Sequence, residues 1–139
     1  MGGDMPEKTL TRLLLLIIIL GLGHDVDHFI RDGGPQQLAF LLVLAVKYAL
    51  IALALFFYLL GKLGPLFWTI IAWLGVALAW LTHFSPFTPQ TPQFIYRAYE
   101  IPAAGALAVA CLAALTITLI VTAIYAEYLW ARSPPKKSP

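Results

Sequence analysis

Four long apolar runs, separated by short polar or proline-rich breaks, set the pattern along this chain. They cover residues 10–31, 37–60, 65–84 and 102–130. Each is about long enough to cross a hydrocarbon core at a helical rise of roughly 1.5 Å per residue. The breaks have helix-stopping chemistry. Gly33-Gly34-Pro35 ends the first run, since glycine accepts a left-handed C-cap and proline cannot continue a helix. Gly61-Lys62-Leu63-Gly64-Pro65 reads as a tight turn, and Pro102 suits the first turn of the last helix. Thr9 or Thr11 is expected to cap the first helix.

The third and fourth runs are joined by a longer connection, residues 85–101, with prolines at 86, 89 and 92. With Phe84, Phe87, Phe94, Tyr96 and Tyr99 in or beside it, this loop is expected to lie at lipid headgroups. Residues 131–139 form a basic, proline-rich tail. The pattern predicts an all-α integral membrane protein, a four-transmembrane-helix up-down-up-down bundle forming a single membrane domain over residues 1–139.

Composition supports the membrane reading. Hydrophobic residues make up 60% of the chain and charged residues 12%, against about 25% charged in an average soluble domain. Too few polar residues remain to cover a water-facing surface. The net charge of +2 and the scattered cations give no reason to expect a nucleic-acid partner. The single cysteine, Cys111, excludes an intrachain disulfide and is expected to be a small packing residue.

Lysine and arginine orient the bundle. Lys8, Arg12, Lys62, Arg132, Lys136 and Lys137 share one side in a four-span topology, and only Arg31 and Arg97 lie on the other. The positive-inside rule then puts both termini in the cytoplasm, in a plasma or inner membrane. Lys8 and Arg12 followed by Leu13–Leu20 and Gly21-Leu22-Gly23 also resemble a signal peptide cleaved after Gly23, but no Ala-x-Ala site is present.

Two helix contacts are expected from small residues: Gly75 with Ala79, and a ladder of Ala106, Ala110 and Ala114. Tyr58, Trp68, Tyr125, Tyr128 and Trp130 are expected at the inner interface and Trp80 at the outer. Thr116, Thr118 and Thr122 are expected to bond back to helix carbonyls.

The candidate chemistry sits at the end of the first run, in the stretch His24-Asp25-Val26-Asp27-His28-Phe29-Ile30-Arg31-Asp32. His24, Asp27, His28 and Arg31 fall at i, i+3, i+4 and i+7 and form one stripe, with Gly21 and Ile17 continuing it inward. Gly21 lets a neighbouring helix come close. Asp25 and Asp32 form a second stripe. An ionised Asp at mid-bilayer costs roughly 2.5–3.5 kcal/mol, less near the interface, so such groups must be paired, hydrated or metal-bound. Topology adds His83, Arg97 and Glu100 at the same outer end. Lys47, roughly 13 Å into the second run at 1.5 Å per residue, reaches the level of the cluster and is expected to pair with Asp25 or Asp27.

Two histidines four apart on a helix face can give two imidazoles to one ion. The predicted metal site is His24, His28 and His83, with Asp27 as ligand or supporting acceptor. Asp25, Arg31, Lys47 and Glu100 would support it and balance charge. Nitrogen and oxygen ligands suit zinc, iron or copper(II). A b-type haem between His83 and one of His24 and His28 uses the same residues, though the neighbouring acids would crowd it.

A structural reading competes, in which Asp27–Arg31 is an ion pair, Arg31 snorkels to the headgroups, and the cluster fixes helix register. Glu100 can equally serve the dipole of the helix that follows it. The functional expectation is therefore an outward-facing His/Asp site that binds a divalent metal for binding, delivery or transport. The alternatives are an accessory subunit of a larger membrane complex and a metal- or haem-dependent membrane enzyme. Four short helices are expected to leave little room for a substrate-sized channel in a monomer, so a transport role would imply a homo-oligomer.

Overall fold

Apolar residues that cannot be sheathed in water, on a backbone that must satisfy its own hydrogen bonds, give helices throughout the described residues. The computed structural model describes residues 7–31 and 37–133. Four helices are long and apolar enough to cross a membrane. They are α1 (Lys8–Arg31), α2 (Gln37–Leu59), α3 (Pro65–Ala79), which continues through a π-helical turn (Trp80–Phe84), and α5 (Pro102–Ala131). A short helix, α4 (Pro92–Arg97), lies in the connection that the sequence reading treats as a loop. The Gly33-Gly34-Pro35 turn and Asp32 fall outside the described residues.

The helix ends follow local chemistry. The first helix is capped by Glu7 rather than by Thr9 or Thr11: the Leu10 amide donates to Glu7 Oε2 at 2.6 Å. The Thr11 hydroxyl bonds the Glu7 carbonyl instead. After α2, Gly61 adopts a left-handed conformation at φ 67°. The Lys62 amide then returns to Phe57 O and the Gly61 amide to Tyr58 O, the paired bonds of a Schellman cap. Pro92 and Pro102 each open a helix, and the Thr91 hydroxyl accepts from the Phe94 amide to cap α4.

Two small cores hold the helices. Leu10, Leu14, Tyr58, Trp68 and Ala126 form one, joining α1, α2, α3 and α5. Tyr58 and Trp68 are therefore core residues and not belt residues, whereas Trp80, Tyr128 and Trp130 are exposed. The second core joins α4 to α5 through Ile95, Ala108 and Leu112. Here α4 sits so close that a Cβ at Gly105 would stand 2.4 Å from the Tyr96 carbonyl oxygen.

The buried seam of α5 starts at Gly105 and Ala108, and Ala106 and Ala110 are exposed. The alanine ladder is thus displaced by one helix face: close approach is governed by which residue meets the neighbouring backbone, and Gly105 does. The expected contact at Gly75 is present, with a Cβ there standing 3.0 Å from the Leu119 side chain. Thr116, Thr118 and Thr122 all bond to the carbonyl four residues before them.

The helix α2 stands apart from the rest. Apart from Tyr58, none of its described residues is buried. It is held at Tyr58 and by polar contacts to α1, which leaves a cavity between α1, α2, α3 and α5.

Candidate functional site

The helical spacing of His24 and His28 puts both imidazoles on one side of α1, and the end of the third span brings a third ring to them. His83 lies in the π-helical turn, which closes with the Ser85 amide on the Trp80 carbonyl at 2.8 Å. Such turns carry one extra residue per hydrogen-bonded loop and recur at functional sites. His83 is buried there, while Leu81, Thr82 and Phe84 around it are exposed.

The three rings form a compact group. Ring centroids are 4.7 Å apart for His24–His28, 4.8 Å for His24–His83 and 5.6 Å for His28–His83. One ligand nitrogen from each ring can be chosen so that all three lie within 4.8 Å of one another. The closest pair is His24 Nε2 and His83 Nε2, at 3.1 Å.

The protonation of His83 follows from its partner. Its Nδ1 lies 2.9 Å from the Gln90 carbonyl oxygen, which can only accept, so Nδ1 carries the proton. The Nε2 of a neutral His83 ring is then the acceptor of the 3.1 Å hydrogen bond, and His24 Nε2–H is its donor. This is how a carbonyl beside a metal-binding histidine fixes tautomer and ring orientation. On His24, Nδ1 is buried and makes no hydrogen bond among the described residues. On His28, Nδ1 lies 3.4 Å from Arg31 Nη2, a long contact in which arginine must be the donor.

The carboxylates are engaged elsewhere. Asp27 Oδ2 accepts from Arg31 Nη2 at 2.8 Å and Nε at 3.0 Å, and its Oδ1 accepts from the Tyr99 hydroxyl at 2.5 Å. Arg31 also donates to the Gln90 side-chain oxygen at 3.0 Å. The Arg31 side chain is 3% exposed, so it does not snorkel: Asp27, Gln90 and His28 give it partners inside. Asp25 Oδ2 accepts from Lys47 Nζ at 2.5 Å and from the Tyr48 hydroxyl at 2.6 Å. Lys47 also lies over the Tyr48 ring, 5.0 Å from its centroid.

Of the predicted residues, the fold gathers His24, His28 and His83 and pairs Lys47 with Asp25. Asp27 is adjacent but turned to Arg31 and Tyr99, and Glu100 is exposed and no part of the histidine group. Gly21 allows the expected approach, with the Tyr48 hydroxyl 3.6 Å from where its Cβ would be. Cys111 has the expected packing role, half-buried against Gly23 and the Leu20 carbonyl. A haem held by His24 and His83 does not fit, because nitrogens 3.1 Å apart leave no space for a macrocycle between them.

Three contributors are absent from the sequence reading. Tyr48 offers one cue, a phenol beside a mid-span lysine. Tyr99 reads as an interfacial aromatic, and Gln90 carries no signal, since it acts partly through its backbone carbonyl. Tyr99 lies outside the spans, and its phenol is pushed up to about 12, first by burial and then by its bond to the Asp27 carboxylate.

Beside the cluster lies a cavity of about 970 Å³, at the upper end of the range for small-molecule sites. This space exists because α2 stands off from the bundle, and it is a partly open pocket between helices and not a channel through them. Fold and site together define a helical protein with four helices long and apolar enough to cross a membrane, compatible with a multi-pass membrane protein, and with three histidines close enough to hold a metal ion. Comparison with protein-family models, curated proteins and solved structures finds no match to this chain.

Proposed function

We propose that this chain is a four-span up-down-up-down membrane protein whose His24, His28 and His83 bind one divalent transition metal near the outward face. Both termini would be cytoplasmic. The role is binding, delivery or transport of the metal, in a plasma or inner membrane.

The observation that carries the reading is the 3.1 Å approach of His24 Nε2 to His83 Nε2. Two nitrogens bound to a tetrahedral zinc at about 2.0–2.1 Å stand roughly 3.4 Å apart. The pair, now joined by a hydrogen bond from His24 Nε2–H, is already near the spacing of two ligands on one ion, and a metal would take the place of that proton as it moves to His24 Nδ1, which has no hydrogen bond among the described residues. His28 completes the set by turning from its long contact with Arg31. All-nitrogen ligands and an open fourth position suit zinc, iron or copper(II). Asp27, Asp25, Lys47 and Arg31 hold the surrounding charge in neutral pairs.

The test is zinc affinity by competition with a chromophoric chelator. His24→Ala and His83→Ala should each weaken binding by at least about a hundredfold and leave the helical content unchanged. Wild-type protein with no measurable zinc, iron or copper affinity would overturn the reading. The topology has a separate test: a cysteine replacing exposed Phe87 should label from outside cells and one replacing exposed Ser133 should not. The reverse pattern would invert it.

A second reading, a purely structural polar network in an accessory subunit, draws on the two closed carboxylate clusters around Asp25 and Asp27. It predicts that histidine variants lose stability without any change in metal content.

A further inference from the structure

The cavity beside the histidines has a shape that the metal reading does not use. On α2 its lining residues are Phe40, Val43, Leu44, Lys47, Tyr48 and Ile51. Their spacing at i, i+3, i+4, i+7, i+8 and i+11 is one continuous helix face. On the third span the lining runs from Ile71 to His83, roughly 18 Å along the axis at 1.5 Å per residue. The polar lining, including His24, Asp25, His28, Lys47 and His83, belongs to one part of this length. The remainder is walled by residues such as Ile17, Ile51, Ile71, Gly75 and Leu119. The space is a long apolar shaft, partly open to its surroundings, with a polar head, inside a chain whose solvent is lipid.

Charge narrows the occupant. Among the described residues the fixed charges at the head cancel in pairs, Asp25 with Lys47 and Asp27 with Arg31. A dication on three neutral imidazoles adds two positive charges that no described carboxylate is turned to meet. In a medium of low dielectric such a charge strongly favours an anionic ligand. The shaft independently favours an apolar chain, since its walls offer that chain packing but no polar partner.

We propose that the cavity binds a single-chain membrane amphiphile with an anionic oxygen headgroup. The chain lies in the shaft between α1, α2, α3 and α5, and the headgroup takes the open metal position beside His24, His28 and His83. This inference rests on the metal reading for its headgroup and on the shaft alone for its chain. The chain leaves one apolar medium for another, so its affinity comes from close packing and from the headgroup, not from escape from water.

The test uses full-length protein in phosphatidylcholine nanodiscs, with zinc, radiolabelled palmitate and radiolabelled acetate as probes. Zinc-loaded wild type should bind palmitate saturably. Ile51→Trp and Ile71→Trp, which fill the shaft from α2 and from the third span, should each weaken palmitate by at least about tenfold. Both should keep one zinc per chain, which shows that the fold is intact, and should leave acetate binding unchanged. Palmitate affinity equal in wild type and in zinc-replete Trp variants overturns the shaft proposal and leaves the metal reading standing. Wild type that binds no zinc overturns the metal reading and the headgroup assignment with it. Palmitate saturation that the Trp variants still abolish would then keep the shaft assignment on its own.

Discussion

Asp27 is a buried carboxylate whose two oxygens are both taken, one by Arg31 and one by Tyr99. Removing one partner of such a pair leaves the other charge uncompensated, which costs about 3 kcal/mol or more. Asp27→Asn should therefore lower stability by about that amount. It should also weaken zinc binding by about tenfold, because an unpaired Arg31 beside His28 repels the ion. Thermal unfolding and chelator competition on the same sample read the two effects.

Tyr99 gives this cluster a pH limit. Its phenol is pushed up to about 12 in the folded protein and ionises near 10 when unfolded. Its contribution is complete below about pH 10 and is lost as pH rises from there to about 12, because the unfolded chain releases the proton first. A phenolate absorbance titration of wild type against Tyr99→Phe should show one late-ionising tyrosine. At this scale the sequence discloses the intrahelical relations, His24–His28 and Asp27–Arg31, because helical spacing sets them. It does not disclose Tyr99 or Gln90, whose roles arise only when the 85–101 segment folds back on α1.

Elements decide which face of each residue is used. Against α5, α4 packs at a point where only glycine fits, and Gly105→Ala must move either the Tyr96 carbonyl or the helix. The expected cost is about 1–3 kcal/mol, with the Tyr99–Asp27 bond weakened as α4 shifts. Unchanged unfolding in Gly105→Ala would show that α4 is not held there. The alanine ladder read from Ala106 misleads because alanine spacing alone does not say which side meets a neighbour. The π-helical turn at Trp80–Phe84 is similarly hidden: Trp-Leu-Thr-His-Phe has no residue that demands an extra backbone step. The number and approximate bounds of the four long helices, by contrast, are plain, since run length and the Gly/Pro breaks carry them, whereas the short α4 within the proline-rich connection is not.

For the molecule as a whole, composition and run length are enough to predict four apolar helices, and the solvent they require follows from physics. The cavity is not legible in that way. It exists because α2 is tied at Tyr58 and at Asp25–Lys47–Tyr48 and otherwise stands clear, a consequence of long-range pairing. The coincidence of a tri-histidine group, neutral carboxylate pairs and an apolar shaft at one place is likewise a property of the assembled bundle.

X-ray absorption at the zinc edge, on the full chain loaded with one equivalent of zinc, examines that assembly at the atoms in question. The account predicts a first shell of nitrogen and oxygen at about 2.0–2.1 Å, with outer-shell scattering from three imidazoles that drops in His83→Ala. A shell containing sulfur at about 2.3 Å, or one without imidazole scattering, would contradict it.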